Sequence, residues 1–113
     1  MNLSTDRSGG IVIVRVGEAK LVHPLLPTFA GSVSDLLSGG DRRVIIDLSH
    51  VVYLDSACIG CLMDLYRQAD KLGAKVKLSG VQRRVETMLT MTGAHHFIEL
   101  HPDEPSAIKS FED

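Results

Sequence analysis

The sequence predicts an α/β fold: a single layer of mostly parallel β-sheet with helices packed on it, in alternating βαβαβαβα order. Three observations carry this expectation. Short β-branched apolar runs alternate along the chain with stretches whose apolar residues recur at helical spacing. The connections are about two to seven residues, the length that βα and αβ loops take. Strands that alternate with helices pair in parallel through right-handed crossovers. The chain has 113 residues and is expected to form one domain over residues 1–113. At that length roughly 65% of the unfolded surface can be buried, enough for one core.

Each element has its own signal. After Gly9-Gly10, the run Ile11 to Val16 is short and β-branched, a strand. From about Pro24 the period changes, and Leu25, Phe29, Val33 and Leu36-Leu37 fall on one face of a helix. Pro24 and Pro27 suit only its first turn or the approach to it, and Ser38-Gly39-Gly40-Asp41 ends it. Val44 to Leu48 is apolar enough for a strand covered on both faces. Ile59, Leu62-Met63, Leu65-Tyr66, Ala69 and Leu72 form the stripe of a second helix with a glycine stop at Gly73. Lys75 to Leu78 alternates polar and apolar, as a strand near the sheet margin does. Val81, Val85, Met88 and Leu89 mark a third helix ending at Gly93. His96 to Leu100 reads as a last strand and Pro105 to Phe111 as a short terminal helix.

Composition excludes several classes. A 44% hydrophobic, 23% charged chain is not disordered. Twelve basic against fourteen acidic residues give a formal charge of -2, with no general drive toward a phosphate backbone, so nucleic acid is not an expected partner. Two cysteines are too few for a disulfide scaffold. The first ten residues contain no apolar run of a signal peptide, and no stretch approaches a membrane span. The expectation is a small cytoplasmic protein without membrane insertion.

In open α/β sheets functional groups gather where strand C-termini hand over to helix N-termini. That directs attention to Asp55-Ser56. Ser56 stands in the position of an N-cap, where its hydroxyl would accept a backbone N–H. The same position also suits a phosphorylation site, because the open N–H groups and positive dipole end tolerate a phosphate. The residues themselves leave both readings open.

The run Val44-Ile45-Ile46-Asp47-Leu48-Ser49-His50-Val51-Val52-Tyr53-Leu54-Asp55-Ser56 resembles the signature of the STAS domain family, named for sulfate transporters and anti-sigma factor antagonists. The shared pattern is an apolar strand ending in Asp-Leu-Ser, an apolar–aromatic–apolar step, and Asp-Ser opening a helix. The resemblance continues through the KVKLSG strand and a helix closing on MTGA. It implies a bacterial partner-switching protein of the stand-alone anti-sigma factor antagonist (anti-anti-sigma) type, acting in signal transduction and transcription regulation. In such proteins the serine after the motif aspartate is phosphorylated by an anti-sigma factor that is itself a serine kinase. The unphosphorylated form binds that kinase and releases the sigma factor or other client, and a serine phosphatase resets it. Carried over, the phosphoacceptor is Ser56, and the partner surface is Asp55, Ser56, Ala57, Cys58 and Gly60. An alternative within the family is a non-switching scaffold subunit of a larger complex, a sensory assembly or a lipid ABC transporter.

Two positions depart from the family pattern. Cys58 stands where the family carries glycine, and its side chain is expected to obstruct close approach of a kinase. Leu21-Val22 stands where regulators of this type carry Leu-Asp, which removes an acidic partner contact.

Rival chemistries fare poorly. Cys58-Ile59-Gly60-Cys61 is a CxxC at a helix start, as in thioredoxin-like oxidoreductases. Those proteins set a cis-proline before a later strand, facing the cysteines; here the later prolines are Pro102 and Pro105, beyond the last expected strand. Zinc ligands need convergent geometry; no paired-histidine spacing accompanies the CxxC, and His96 and His101, though five apart, straddle the expected last strand, while His95 and His96 read as a solvated turn. Lys75, Lys77, Arg83 and Arg84 read as a basic cluster at one strand–helix junction, a solvated surface or part of a protein-binding face. No carboxylate pair suits acid–base work. No enzyme activity, cofactor or metal is expected.

Overall fold

Residues 1–112 are described by the computed structural model of the protein. Its sheet is built around β2 (Ile11–Val16), in which every residue but Arg15 is buried. Both faces of β2 are covered, so its side chains are apolar on both rather than alternating. β4 (Arg43–Asp47) and β6 (Lys75–Ser79) follow in parallel, as expected for strands joined through helices. β1 (Leu3–Ser8) lies antiparallel on the other side of β2, giving the order β1-β2-β4-β6. A separate parallel pair of two-residue strands, β3 (Lys20–Leu21) and β5 (Tyr53–Leu54), lies beyond the sheet's C-terminal edge.

On one face, Val12, Val14, Val44, Ile46, Val76 and Leu78 pack under α1 (Leu26–Ser38), α2 (Ser56–Lys71) and α3 (Arg83–Met91). The apolar stripes these helices bury are those their spacing predicted: Phe29, Val33 and Leu37; Leu62, Leu65 and Ala69; Val85 and Leu89. On the other face Ile11, Ile13 and Ile45 meet Ala107 of α4 (Glu104–Ser110). Lys77 also lies on this second face. Only 5% exposed, it donates Nζ–H to Ser110 Oγ at 2.8 Å, pairs with Glu99 at 3.3 Å and sits 4.1 Å from the centroid of the Phe111 ring. Among the described residues, no helix is long and apolar enough to cross a membrane.

Four expectations need correction. The first residues hold β1, so the chain opens on a hairpin whose Gly9 and Gly10 both have positive φ, 55° and 83°, as a type I′ turn requires. Residues 96–100 are no strand. Ala94–His96 is a 3₁₀ turn, and a single bridge, Leu78 to Leu100, extends the sheet there. Val81 precedes α3 and is not part of it. Lys75 and Lys77 lie in β6 whereas Arg83 and Arg84 open α3 beyond the Gly80 turn, where Arg84 stands 5.8 Å from the Tyr53 ring, so no single basic cluster forms.

Candidate functional site

The N-terminus of α2 is organised by Asp55, not by Ser56. Asp55 has extended backbone angles, and its Oδ1 accepts the Cys58 N–H at 2.8 Å, which makes it the N-cap. Asp55 has the extended backbone that a cap requires, whereas Ser56 is already helical, and the carboxylate adds charge at the positive end of the dipole. Ser56 is thereby the first helical residue, and its hydroxyl has no hydrogen-bond partner among the described residues. The other Asp55 oxygen, Oδ2, accepts the backbone N–H of His23 at 2.8 Å. The His23 and Cys58 amides together hold the Asp55 carboxyl below its usual range, so it stays ionised at neutral pH.

The segment that Asp55 ties down is the passage from β3 to α1. Leu21 is fully buried and Val22, where the family pattern carries an acidic residue, is half-buried, and His23 and Pro24 are exposed beside the start of α2. The β3–β5 pairing and a Val52 N–H to Ala19 O bond of 2.8 Å hold the two loops side by side. Nothing in the sequence pattern pointed to His23, because its hydrogen bond to Asp55 is made by the main chain.

Of the five residues assigned to a partner surface, four face outward. Ser56, Ala57 and Gly60 are exposed and Asp55 is half-buried. Ser56 and Gly60 lie one turn apart on the same face, and a Cβ built on Gly60 would meet nothing within 4 Å. The exposed residues of this first turn, Ser56, Ala57 and Gly60, are all small. Cys58 is the exception: its side chain is 0% exposed, in the core with Leu54 and Leu62. Helical geometry turns this position inward, so its thiol is not presented at the surface.

Both cysteines are free thiols, Cys58 in the core and Cys61 half-buried. Burial pushes the Cys58 thiol far up, and the neighbouring Cys61 and Asp55 add to the shift; burial also raises half-buried Cys61. Desolvation outweighs the helix dipole here, and a thiol held protonated is a poor nucleophile. Among the described residues no group of His, Cys, Asp and Glu is arranged to hold a metal ion.

Behind the site, the loops that carry Ser49 and Gly80 are locked together. Gln82 Nε2 donates to Ser49 O at 2.7 Å, and the Leu48 N–H donates to Ser79 O at 2.9 Å. Gly80 has φ +65°, and a Cβ there would stand 2.7 Å from Ser49 Cβ and 2.9 Å from its Cα. Only glycine fits that approach.

The same fold recurs in solved structures. An anti-sigma factor antagonist from Mycobacterium paratuberculosis superposes with a TM-score of 0.89 at 18% identity, over 99% of this chain and 94% of that one. The anti-sigma factor antagonist SpoIIAA in its unphosphorylated form gives 0.81 at 15% identity, over 98% and 96% of the two chains. The Bacillus cell fate determinant SpoIIAA in its phosphorylated form gives 0.73 at 14%, over 97% and 99%. At these identities the likeness establishes the fold. The family model for the STAS domain matches residues 2–107, and the chain belongs to the STAS domain family.

Proposed function

We propose that this protein is a phosphorylation-controlled binding switch, an anti-sigma factor antagonist of the bacterial cytoplasm whose switch residue is Ser56. In its unphosphorylated form it binds an anti-sigma factor that is also a serine kinase, and so releases a sigma factor or other client; a serine phosphatase reverses the modification. The observation that carries this reading is the exposed, unpartnered Ser56 hydroxyl at the first position of α2, left free because Asp55 takes the cap. That SpoIIAA has been solved in both unphosphorylated and phosphorylated forms supports it by analogy.

The physics of the switch is local. A phosphate adds about -1.5 to -2 charge at pH 7, beside a carboxylate that is already ionised. At the helix N-terminus the open amides and the dipole accommodate it without unfolding. Against a partner surface complementary to a neutral hydroxyl, it sets like charges together at a cost of several kcal/mol. A loss of ~4 kcal/mol is about a thousandfold in Kd. The scaffold alternative rested on an obstructing cysteine side chain, and that side chain lies in the core.

Affinity purification from the native cells with Ser56→Ala and Ser56→Asp tests the proposal. The alanine form should retain a serine kinase and the aspartate form should lose it. Equal recovery of the same partner by both variants would refute a switch at Ser56.

A further inference from the structure

The outer edge of β6 is unpaired at one residue, Val76, which is 5% exposed. In a strand, successive residues turn their N–H and C=O toward opposite neighbours. Lys75 faces β4, donating to Arg42 O at 2.9 Å, whereas Leu78 faces outward, donating to Glu99 O at 3.0 Å and accepting from His101 N at 2.8 Å. Val76 shares the outward direction of Leu78, yet the segment covering Leu78 does not extend to it. Its N–H and C=O have no partner among the described residues. A cavity of about 260 Å³ lies over this edge, lined by Val76, Tyr66 and Phe97. The two rings stand 5.9 Å apart at a tilt, and Phe97 is 57% exposed.

Toward the start of the strand, a second concavity lined by Arg42, Arg43 and Lys75 adjoins the first. Among the described residues, no carboxylate lies within ion-pair distance of Arg43 or Lys75. Glu99, on the same groove, is already taken by Lys77 at 3.3 Å and His101 at 3.2 Å. Asp70 is the groove's one carboxylate without a cation among the described residues. Unpaired strand edge, exposed aromatic surface and uncompensated positive charge thus fall on one continuous strip.

We propose that this strip is a second docking surface, which takes an extended, acidic segment of a partner protein as an added strand beside β6. The segment's main chain would bond to Val76, an apolar residue would cover the Tyr66–Phe97 pair, and its carboxylates would meet Arg43 and Lys75. Main-chain pairing supplies affinity in this mode, and side-chain complementarity supplies selectivity. The α2 residues that line the strip, Tyr66 to Asp70, lie about 15 to 21 Å along that helix from Ser56. Both surfaces can therefore be occupied at once.

The test is amide NMR on the ¹⁵N-labelled protein titrated with two short synthetic peptides, one alternating valine with glutamate and one alternating valine with lysine. The glutamate peptide should shift the Lys75, Val76 and Phe97 amides and slow hydrogen exchange at Val76. Its Kd should rise roughly tenfold or more in an Arg43→Glu/Lys75→Glu double variant, both positions being exposed and dispensable to the core. Ser56→Asp should leave this binding unchanged. No response at Val76 with millimolar glutamate peptide would overturn the proposal, as would equal binding of the lysine peptide or unaltered binding by the double variant. A protected Val76 amide in the free protein, with a dimer in sedimentation, would assign the edge to a second copy of the chain instead.

Discussion

The Asp55 carboxylate accepts the backbone N–H of His23 at 2.8 Å, so the residue that caps the helix carrying Ser56 also fastens the loop beside it. One side chain thereby sets the relative position of two surface segments 32 residues apart. Removing it should loosen the site without dismantling the core. Asp55→Ala is expected to lower Tm by about 5 °C and to shift the His23 and Cys58 amide resonances, while core amides in β4 stay unchanged. Scanning calorimetry and an amide spectrum check both parts.

The same contact has a pH signature. Asp55 is depressed in the folded state, chiefly by the His23 N–H, so its contribution is complete above the unfolded carboxyl value of about 3.9 and disappears as pH falls through the lower folded value. The stability difference between the native protein and Asp55→Asn should therefore be flat from neutrality to about pH 5 and shrink below about pH 4. Urea unfolding of the pair at several pH values measures it. A difference that grows on acidification would contradict the assignment.

Gly80 is expected to tolerate no side chain. Gly80→Ala combines a left-handed backbone with a Cβ 2.7 Å from that of Ser49, and should cost about 2 kcal/mol or more in urea unfolding. Because Ser49 lies on the chain segment leading to Asp55, the amides of residues 49–55 should shift as well.

Lys77 should behave as a packed stem more than as a charge. Its aliphatic chain is buried, whereas the Glu99 side chain it pairs with is 53% exposed and would be solvated without it. Lys77→Met should thus be close to neutral, and Lys77→Ala should cost about 2 kcal/mol and loosen α4. Chemical denaturation of the two variants separates these outcomes.

Thiol reactivity provides an independent check on the site's interior. At pH 8, iodoacetamide should label half-buried Cys61 slowly and Cys58 only after unfolding, since burial raises both thiols and excludes reagent from Cys58. Mass mapping of the labelled peptides reads this directly. Early labelling of Cys58 would place it at the surface after all.

Legibility in the sequence followed burial. β2 and β4 are short β-branched apolar runs and the three larger helices carry apolar stripes at helical spacing, and the motif from Val44 to Ser56 marked the helix start at which the site is built. β1 escaped because it is an outer strand exposed along nearly its whole length, with only Leu3 half-buried, so no alternation betrays it. The Gly9-Gly10 pair was its one local signal. Residues 96–100 misled in the other direction: Ile98 is buried and Leu100 half-buried, but they pack from a turn and a single bridge. Within the site, Ser56 and its exposure could be anticipated, whereas the Asp55 cap and the His23 tie could not. A cap assigned to either of two adjacent polar residues is decided by backbone angles, and a main-chain donor leaves no residue-type signature.

The central claim is that Ser56 is a phosphoacceptor, and phosphopeptide mass spectrometry on the protein purified from its native cells tests it most directly. The account predicts a phosphate on Ser56 whose occupancy changes between growth, stress and stationary phase. An unmodified Ser56 under all three conditions would contradict it, leaving a STAS domain that binds its partner without being switched at this residue.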